Sequence, residues 1–166
     1  MAETMSPTEI LTHEHHEVLG KLERLETIFK SLDHKHTIAL ELQNLTAFFK
    51  TDFWLHFDKE ERALFPEFDN FMPHGAGPLA VMREEHNVIR DTNDVLQESV
   101  ARYLGDGNDA PTRQKIIESG SHFIGYLRSH IAKEDGMFPQ LASMHLHDRE
   151  NARILKGYAE IEKSAK

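Results

Sequence analysis

The chain has 166 residues, no cysteine and a formal net charge of −9, from 28 acidic and 19 basic residues. This length suits a single domain with a sizeable core. The lack of cysteine excludes disulfides and thiolate metal sites, and the acidic balance argues against nucleic-acid binding. Twelve histidines, scattered along the chain rather than gathered in a tract, are the unusual feature of the composition.

The N-terminal stretch from Met1 to Pro7 has no cationic region followed by an apolar region. We therefore expect no signal peptide. The apolar runs are too short to cross a bilayer, so no membrane partner is expected either. The sequence predicts a soluble cytoplasmic protein.

The first amphipathic segment begins with a capping box, because Ser6 precedes Pro7 and Glu9 lies three residues after Ser6. Its apolar stripe predicts a helix that runs to about Leu32. His15 falls inside this stripe.

A second long helix is predicted from about residue 37 to residue 68, with His56 and Glu60 on its inward face and Lys59 off that face. The Pro/Gly-rich stretch 73–78, which contains His74, predicts a loop.

The third segment opens at Pro78 and runs to about Leu104, with His86 on its apolar stripe. The fourth opens at Pro111 and runs to about Leu141. It turns His130 and Glu134 inward, and Tyr126 is expected on the same face.

No segment shows the alternation of a strand, so the fold class is all-α. Four long amphipathic segments joined by short turns predict an up-down-up-down four-helix bundle. We assign residues 1–145 to this bundle. Residues 146–166 are expected to form a short additional C-terminal helix packed on it, over about 148–163.

The inward polar residues repeat one pattern, a histidine followed by His-x-x-x-Glu. They are His15, His56, Glu60, His86, His130 and Glu134. Residues four apart lie on one face of a helix, so each copy places an imidazole beside a carboxylate. One such histidine alone is more often a core residue, but six ionisable groups in one interior are costly to bury without a cation. The pattern therefore predicts a metal site.

Imidazole suits iron, copper, zinc or nickel, and a carboxylate can bridge two cations. Glu60 and Glu134 could each bridge a metal pair, with two histidines left for each metal. Such pairs lie about 3.5–4 Å apart. The donors also suit manganese or a mixed pair. The other histidines are interpreted as surface or turn residues: His13, His16, His34, His36, His122, His145 and His147.

These motifs resemble the hemerythrin-like family, the HHE cation-binding domain, from about Leu11 to Leu141. The matching stretches are Glu14-His15-x-x-Val18, His56-x-x-x-Glu60-Glu61 with Leu64-Phe65-Pro66, Glu85-His86-x-x-Ile89, and His130-x-x-x-Glu134-Asp135 with Phe138-Pro139. The resemblance implies a bundle that holds two iron ions in a non-haem di-iron centre with carboxylate and oxo or hydroxo bridges. Family activities include dioxygen binding, oxygen or nitric oxide sensing, iron sensing, and iron or redox-stress handling.

Two departures from the family pattern matter. Oxygen carriers place a second histidine four residues from the first on the third helix, whereas Met82 and Arg90 flank His86 here, which argues against simple oxygen carriage. The Phe-Pro closure follows the glutamate by six residues in the first copy and by five in the second. Because the longer spacing is usual, we expect an irregularity near Gly136, which keeps Asp135 as an alternative to Glu134.

Our first hypothesis is a di-iron protein that binds dioxygen, nitric oxide or peroxide at open iron positions, in sensing or in iron and oxidative-stress handling. The alternative is an iron- or redox-responsive adaptor whose structural metal gates a protein partner. No dedicated acid–base pair is evident apart from Tyr126 and Asp52, so catalysis is disfavoured.

Overall fold

The computed structural model describes residues 3–73 and 75–166, so the predicted loop residue His74 lies outside the described residues. Every regular element in these ranges is helical, which confirms the all-α prediction. The elements are α1 (Pro7–Phe29), α2 (Lys35–Lys50), α3 (Trp54–Lys59), a π-helical segment (Glu60–Leu64), α4 (Phe65–Asp69), α5 (Pro78–Leu104), α6 (Ala110–His145) and α7 (Asp148–Ser164). Among them, none is both long and apolar enough to cross a membrane.

The long helices form a bundle in which α1 packs against α2 and α6, and α5 packs against the same two helices. Its interior holds two apolar clusters, one that includes Val18 and Ile89 and another that includes Leu11 and Met82. Along α1, His15 lies between Leu11 and Val18. The predicted polar residues therefore lie between two apolar layers.

Helix α1 starts as predicted, since the Ser6 side chain accepts from the backbone N–H of Glu9 and the Glu9 side chain accepts from that of Ser6. It ends at Phe29, so the prediction of Leu32 was three residues too long. Leu32 is nevertheless buried in the following turn, and the Tyr103 hydroxyl donates to its carbonyl at 2.6 Å. The apolar pattern continued past the helix because the turn also faces the core.

The predicted second helix is interrupted between Lys50 and Trp54. Thr51 leaves the helical conformation, with φ −127° and ψ −72°. Phe49 and Phe53 are buried on either side of this break. The inward stripe persists across it, so the sequence pattern gave no signal of the interruption.

The expected irregularity near Gly136 was wrong, because α6 is continuous through that residue and contains Pro139. The extra residue of the first copy is instead accommodated in the π-helical segment, where the backbone N–H of Phe65 bonds to the carbonyl of Glu60. One π turn adds a residue to a helix without ending it, and such turns are frequent at functional sites.

Helix α7 packs against the π-helical segment, α3 and α1. Ile154, Tyr158 and Ile161 form its buried face. The backbone approaches closely at Gly157, where an added Cβ would lie 2.9 Å from the Cβ of Ala63. The C-terminal helix thus covers the part of the bundle that carries His56 and Glu60.

Candidate metal centre

The structure brings all six predicted interior residues together, and each is at most 5% exposed. They come from four different parts of the fold: α1 supplies one, the stretch from α3 into the π-helical segment two, α5 one and α6 two. They are His15, His56, Glu60, His86, His130 and Glu134.

The six side chains form two overlapping groups, in each of which the ligand atoms lie within 4.8 Å of one another. One group contains His15 and His56, here called the first histidine pair. The other contains His86 and His130, the second histidine pair. Glu60 and Glu134 belong to both groups. Two shared carboxylates between two pairs of imidazoles suit a pair of bridged cations.

The four imidazoles all turn Nε2 toward the interior. The two Nε2 atoms are 3.0 Å apart in the first histidine pair and 3.1 Å apart in the second. Glu60 reaches both pairs, since its Oε1 lies 2.9 Å from His56 Nε2 and its Oε2 lies 3.0 Å from His86 Nε2.

A carboxylate outside the six-residue group holds the Nδ1 of each imidazole. The contacts are His15–Asp135 at 2.7 Å, His86–Glu61 at 2.8 Å, His56–Glu14 at 3.4 Å and His130–Glu85 at 3.4 Å. When Nδ1–H donates to a carboxylate, the Nε2 lone pair is left free and the ring is fixed in orientation. All four rings are thus held in the orientation that binds metal through Nε2.

The sequence interpretation missed these carboxylate partners, although their signal is present in both copies. Glu14 and Glu85 each precede a histidine of the pattern directly. Glu61 and Asp135 each follow a glutamate of the pattern directly. In each case the carboxylate holds a histidine from a different helix, which a reading along a single helix cannot find.

Basic side chains outside this layer hold three of the four carboxylates. Lys59 Nζ lies 3.0 Å from Glu14, Lys133 Nζ lies 2.9 Å from Glu85, and Arg90 lies 3.2 Å from Glu61. Lys59 was predicted to lie off the inward face, yet it is only 5% exposed, because its ammonium is enclosed between Glu14 and Glu162 of α7. Its ammonium is buried together with acidic partners, which hydropathy periodicity does not reveal.

None of the four carboxylate oxygens of Glu60 and Glu134 accepts a hydrogen bond among the described residues. His130 Nε2 lies 2.5 Å from Glu134, but this contact does not have the geometry of a hydrogen bond. A buried carboxylate without a partner is expensive, by several kcal/mol for a charged one. The donor set therefore fits a cation at this position.

The protonation pattern also shows a site short of positive charge. Burial alone would raise the pKa of Glu60, yet its contacts with His56, Glu134 and His86 together lower the pKa well below the usual range. Burial and the Glu60 charge together raise the pKa of Glu134. Burial opposes protonation of His56, but Glu60 and Glu14 raise its pKa to about 9. Without a cation, His56 and Glu134 therefore keep a proton more readily than free side chains do.

Aromatic side chains surround the polar cluster. Phe57 stacks on His86 with ring centroids 3.7 Å apart, and Phe65 lies on the same imidazole at 5.9 Å. A surface cavity of about 190 Å³ lies on the outer side of His56 and is also lined by Phe53 and Lys59. The aromatic walls limit the access of water to the imidazoles.

The structure agrees with some of the remaining predictions about the site and contradicts the one for Tyr126. Glu134 belongs to both ligand groups, whereas Asp135 contacts Nδ1 of His15. Tyr126 was expected to face inward but is 52% exposed, because it lies on the outer face of α6. The surface histidines were interpreted correctly, with His145 partly buried and the others exposed: His13, His16, His34, His36, His122 and His147.

Comparison with protein families gives a match to the hemerythrin HHE cation-binding domain over residues 6–141. No curated protein and no solved structure matches significantly. The family match spans most of the chain and contains all six clustered residues. The chain therefore belongs to the hemerythrin HHE cation-binding family.

Proposed function

We propose that this protein holds two iron ions in an up-down-up-down four-helix bundle and binds a small diatomic molecule or peroxide there. The first histidine pair holds one ion, the second histidine pair holds the other, and Glu60 and Glu134 bridge them. The observation that carries this proposal is that the same two glutamates belong to both ligand groups.

Two iron ions with this donor set supply open coordination positions and a ferrous–ferric couple. The chain's own residues do the rest. The four outer carboxylates fix the imidazoles, and Glu60 and Glu134 offset part of the positive charge. Phe57 and Phe65 give the second histidine pair apolar surroundings, which limits the access of solvent to the centre.

The surroundings of His86 favour sensing, or iron and oxidative-stress handling, over simple oxygen carriage. Met82, one turn before His86, is buried in the apolar cluster. Arg90, one turn after it, pairs with Glu61. Neither side chain supplies the additional imidazole of the carrier type, so the two halves of the centre offer matching ligands.

The test is a titration of the reduced, iron-loaded protein with nitric oxide under anaerobic conditions, followed by absorption and electron paramagnetic resonance. We expect a saturable iron–nitrosyl signal in the wild type and its loss in His56→Ala. His122→Ala, which removes an exposed histidine of α6, is the matched control and keeps the signal. An iron-loaded protein that gives no nitrosyl signal would contradict ligand binding.

A second candidate function is the adaptor, in which the metal is structural and gates a protein partner. Helix α7 favours it, because α7 packs on the π-helical segment that carries Glu60. Loss of metal would alter that segment and with it the surface that α7 presents. Nitric oxide binding separates the two candidates, since the adaptor does not require it.

A further inference from the structure

Lys59 connects the metal centre to the C-terminal helix. Its ammonium lies 3.0 Å from Glu14 and 2.6 Å from Glu162 of α7. Glu14 in turn contacts Nδ1 of His56 at 3.4 Å. A continuous polar chain therefore runs from α7 through Lys59 and Glu14 to an imidazole of the first histidine pair.

The other half of the centre provides an internal comparison. Lys133 occupies the position in the second copy that Lys59 occupies in the first, and it pairs with Glu85 at 2.9 Å. The Lys133 side chain is 52% exposed, whereas that of Lys59 is 6% exposed. Among the described residues Lys133 has no second carboxylate partner. Water can hydrogen-bond to the exposed Lys133 and to Glu85, but the buried ammonium of Lys59 depends on the protein for its hydrogen-bond partners.

Packing fixes the position of Glu162. Tyr158, one turn before it, is buried, and its hydroxyl donates to the Pro7 carbonyl at 3.4 Å. Gly157 lies directly against Ala63 of the π-helical segment. A packed helix, and not a free tail, thus holds the Glu162 carboxylate beside Lys59.

We propose that Glu162 is a positioning residue for the first histidine pair, which makes α7 part of the metal centre although it lies outside the family match at residues 6–141. The inference rests on the proposed function, since it concerns how that centre holds its metal. The two metal positions are then inequivalent, because the polar chain from Glu162 ends at the first histidine pair and not at the second.

The experiment follows release of iron from the loaded full-length protein into an excess of a strong chelator, with wild type, Glu162→Gln and Glu160→Gln compared. Glu160 is an exposed glutamate of the same helix and gives the matched control. Loss of a carboxylate that directly holds a metal-binding histidine typically weakens metal binding 10–100-fold. Glu162 acts through Lys59 and Glu14, so we expect half of the iron to leave Glu162→Gln faster by up to about 10-fold and the other half to leave at the wild-type rate. Glu160→Gln should match the wild type.

Release of all the iron from Glu162→Gln at the wild-type rate would overturn the inference. Equal acceleration of both halves would also overturn it, because general loosening of the fold acts on both positions. Thermal unfolding monitored by circular dichroism checks that Glu162→Gln keeps the fold. Wild-type protein that takes up no iron would instead remove the proposed function and this inference with it.

Discussion

At the scale of single residues, the two ring nitrogens of each interior histidine have different surroundings. Nδ1 contacts an outer carboxylate, and Nε2 faces the interior that contains Glu60 and Glu134. The short distances, 2.7 Å for His15–Asp135 and 2.8 Å for His86–Glu61, involve the acids that follow Glu134 and Glu60. Adjacent acidic residues thus have different roles, because neighbours on a helix point about 100° apart. The inner acid faces the interior shared by the two ligand groups, and the outer acid orients an imidazole from another helix.

This division predicts opposite outcomes for the adjacent acids of α6. Glu134→Gln removes a carboxylate shared by both ligand groups, so iron content should fall well below that of the wild type. Asp135→Asn leaves every proposed ligand in place but loosens His15, so both ions should still bind at saturation, with affinity at the first position weaker by about 10–100-fold. Elemental analysis and competition with a chelator measure the two quantities.

Glu118→Gln, an exposed substitution on the same helix, serves as the control and should behave like the wild type. Loss of iron from Asp135→Asn with full retention by Glu134→Gln would reverse the assignment and restore Asp135 as the bridging residue.

At the scale of elements, small residues decide how closely the helices approach. Gly120 of α6 faces Phe29 of α1, and an added Cβ would lie 2.3 Å from a ring carbon of Phe29. Gly125 on the same helix has nothing within 4 Å of the position of an added Cβ. The sequence alone makes both residues equally unfavourable in a helix, and only the packing separates them.

Alanine substitution should therefore have opposite effects at these positions. Gly120→Ala should lower the free energy of unfolding by about 1–3 kcal/mol, as overpacking in a core does. Gly125→Ala should raise it by up to about 1 kcal/mol, because alanine favours the helix. Urea unfolding monitored by circular dichroism measures both. A free energy of unfolding for Gly120→Ala equal to or above that of the wild type would show that α1 and α6 do not approach closely at Gly120.

The interior histidines and glutamates were predictable because the 3.6-residue period and the internal repeat both place them on one face of their helices. The burial of Lys59 was not predictable from the sequence, since it depends on Glu162, more than 100 residues later in the chain. The π-helical segment left a signal in the spacing before Pro66, but the sequence could not say which copy absorbs the extra residue. Tyr126 shows the limit of a single-helix pattern, because an error of one residue around the helix, about 100°, moves a side chain from core to solvent.

At the scale of the whole molecule, the bundle is built around a polar layer between two apolar clusters. Without metal, this layer holds two buried carboxylates whose oxygens accept no hydrogen bond among the described residues. Metal binding therefore adds to the stability of the fold, since a ligand that binds only the folded state stabilises it by mass action. The helices themselves are supported on both sides of the layer by apolar packing.

Removal of the metal should lower the thermal unfolding midpoint while most helical structure remains. At 100 times the dissociation constant, a ligand adds about 2.7 kcal/mol to the stability. For a chain of this size, that corresponds to a fall of about 5–10 °C on chelation. Calorimetry of loaded and chelated protein measures the shift. Equal midpoints for the two forms would show that the polar layer gains nothing from metal.

If the six clustered residues hold two metal ions between them, the metal content per chain will show it. We would measure it by elemental analysis of protein purified without an affinity tag or chelator, for the wild type, His56→Ala and Glu60→Ala. We expect about two irons per wild-type chain and loss of most of the metal in both variants. A folded wild type without metal, or full iron retention in both variants, would contradict it.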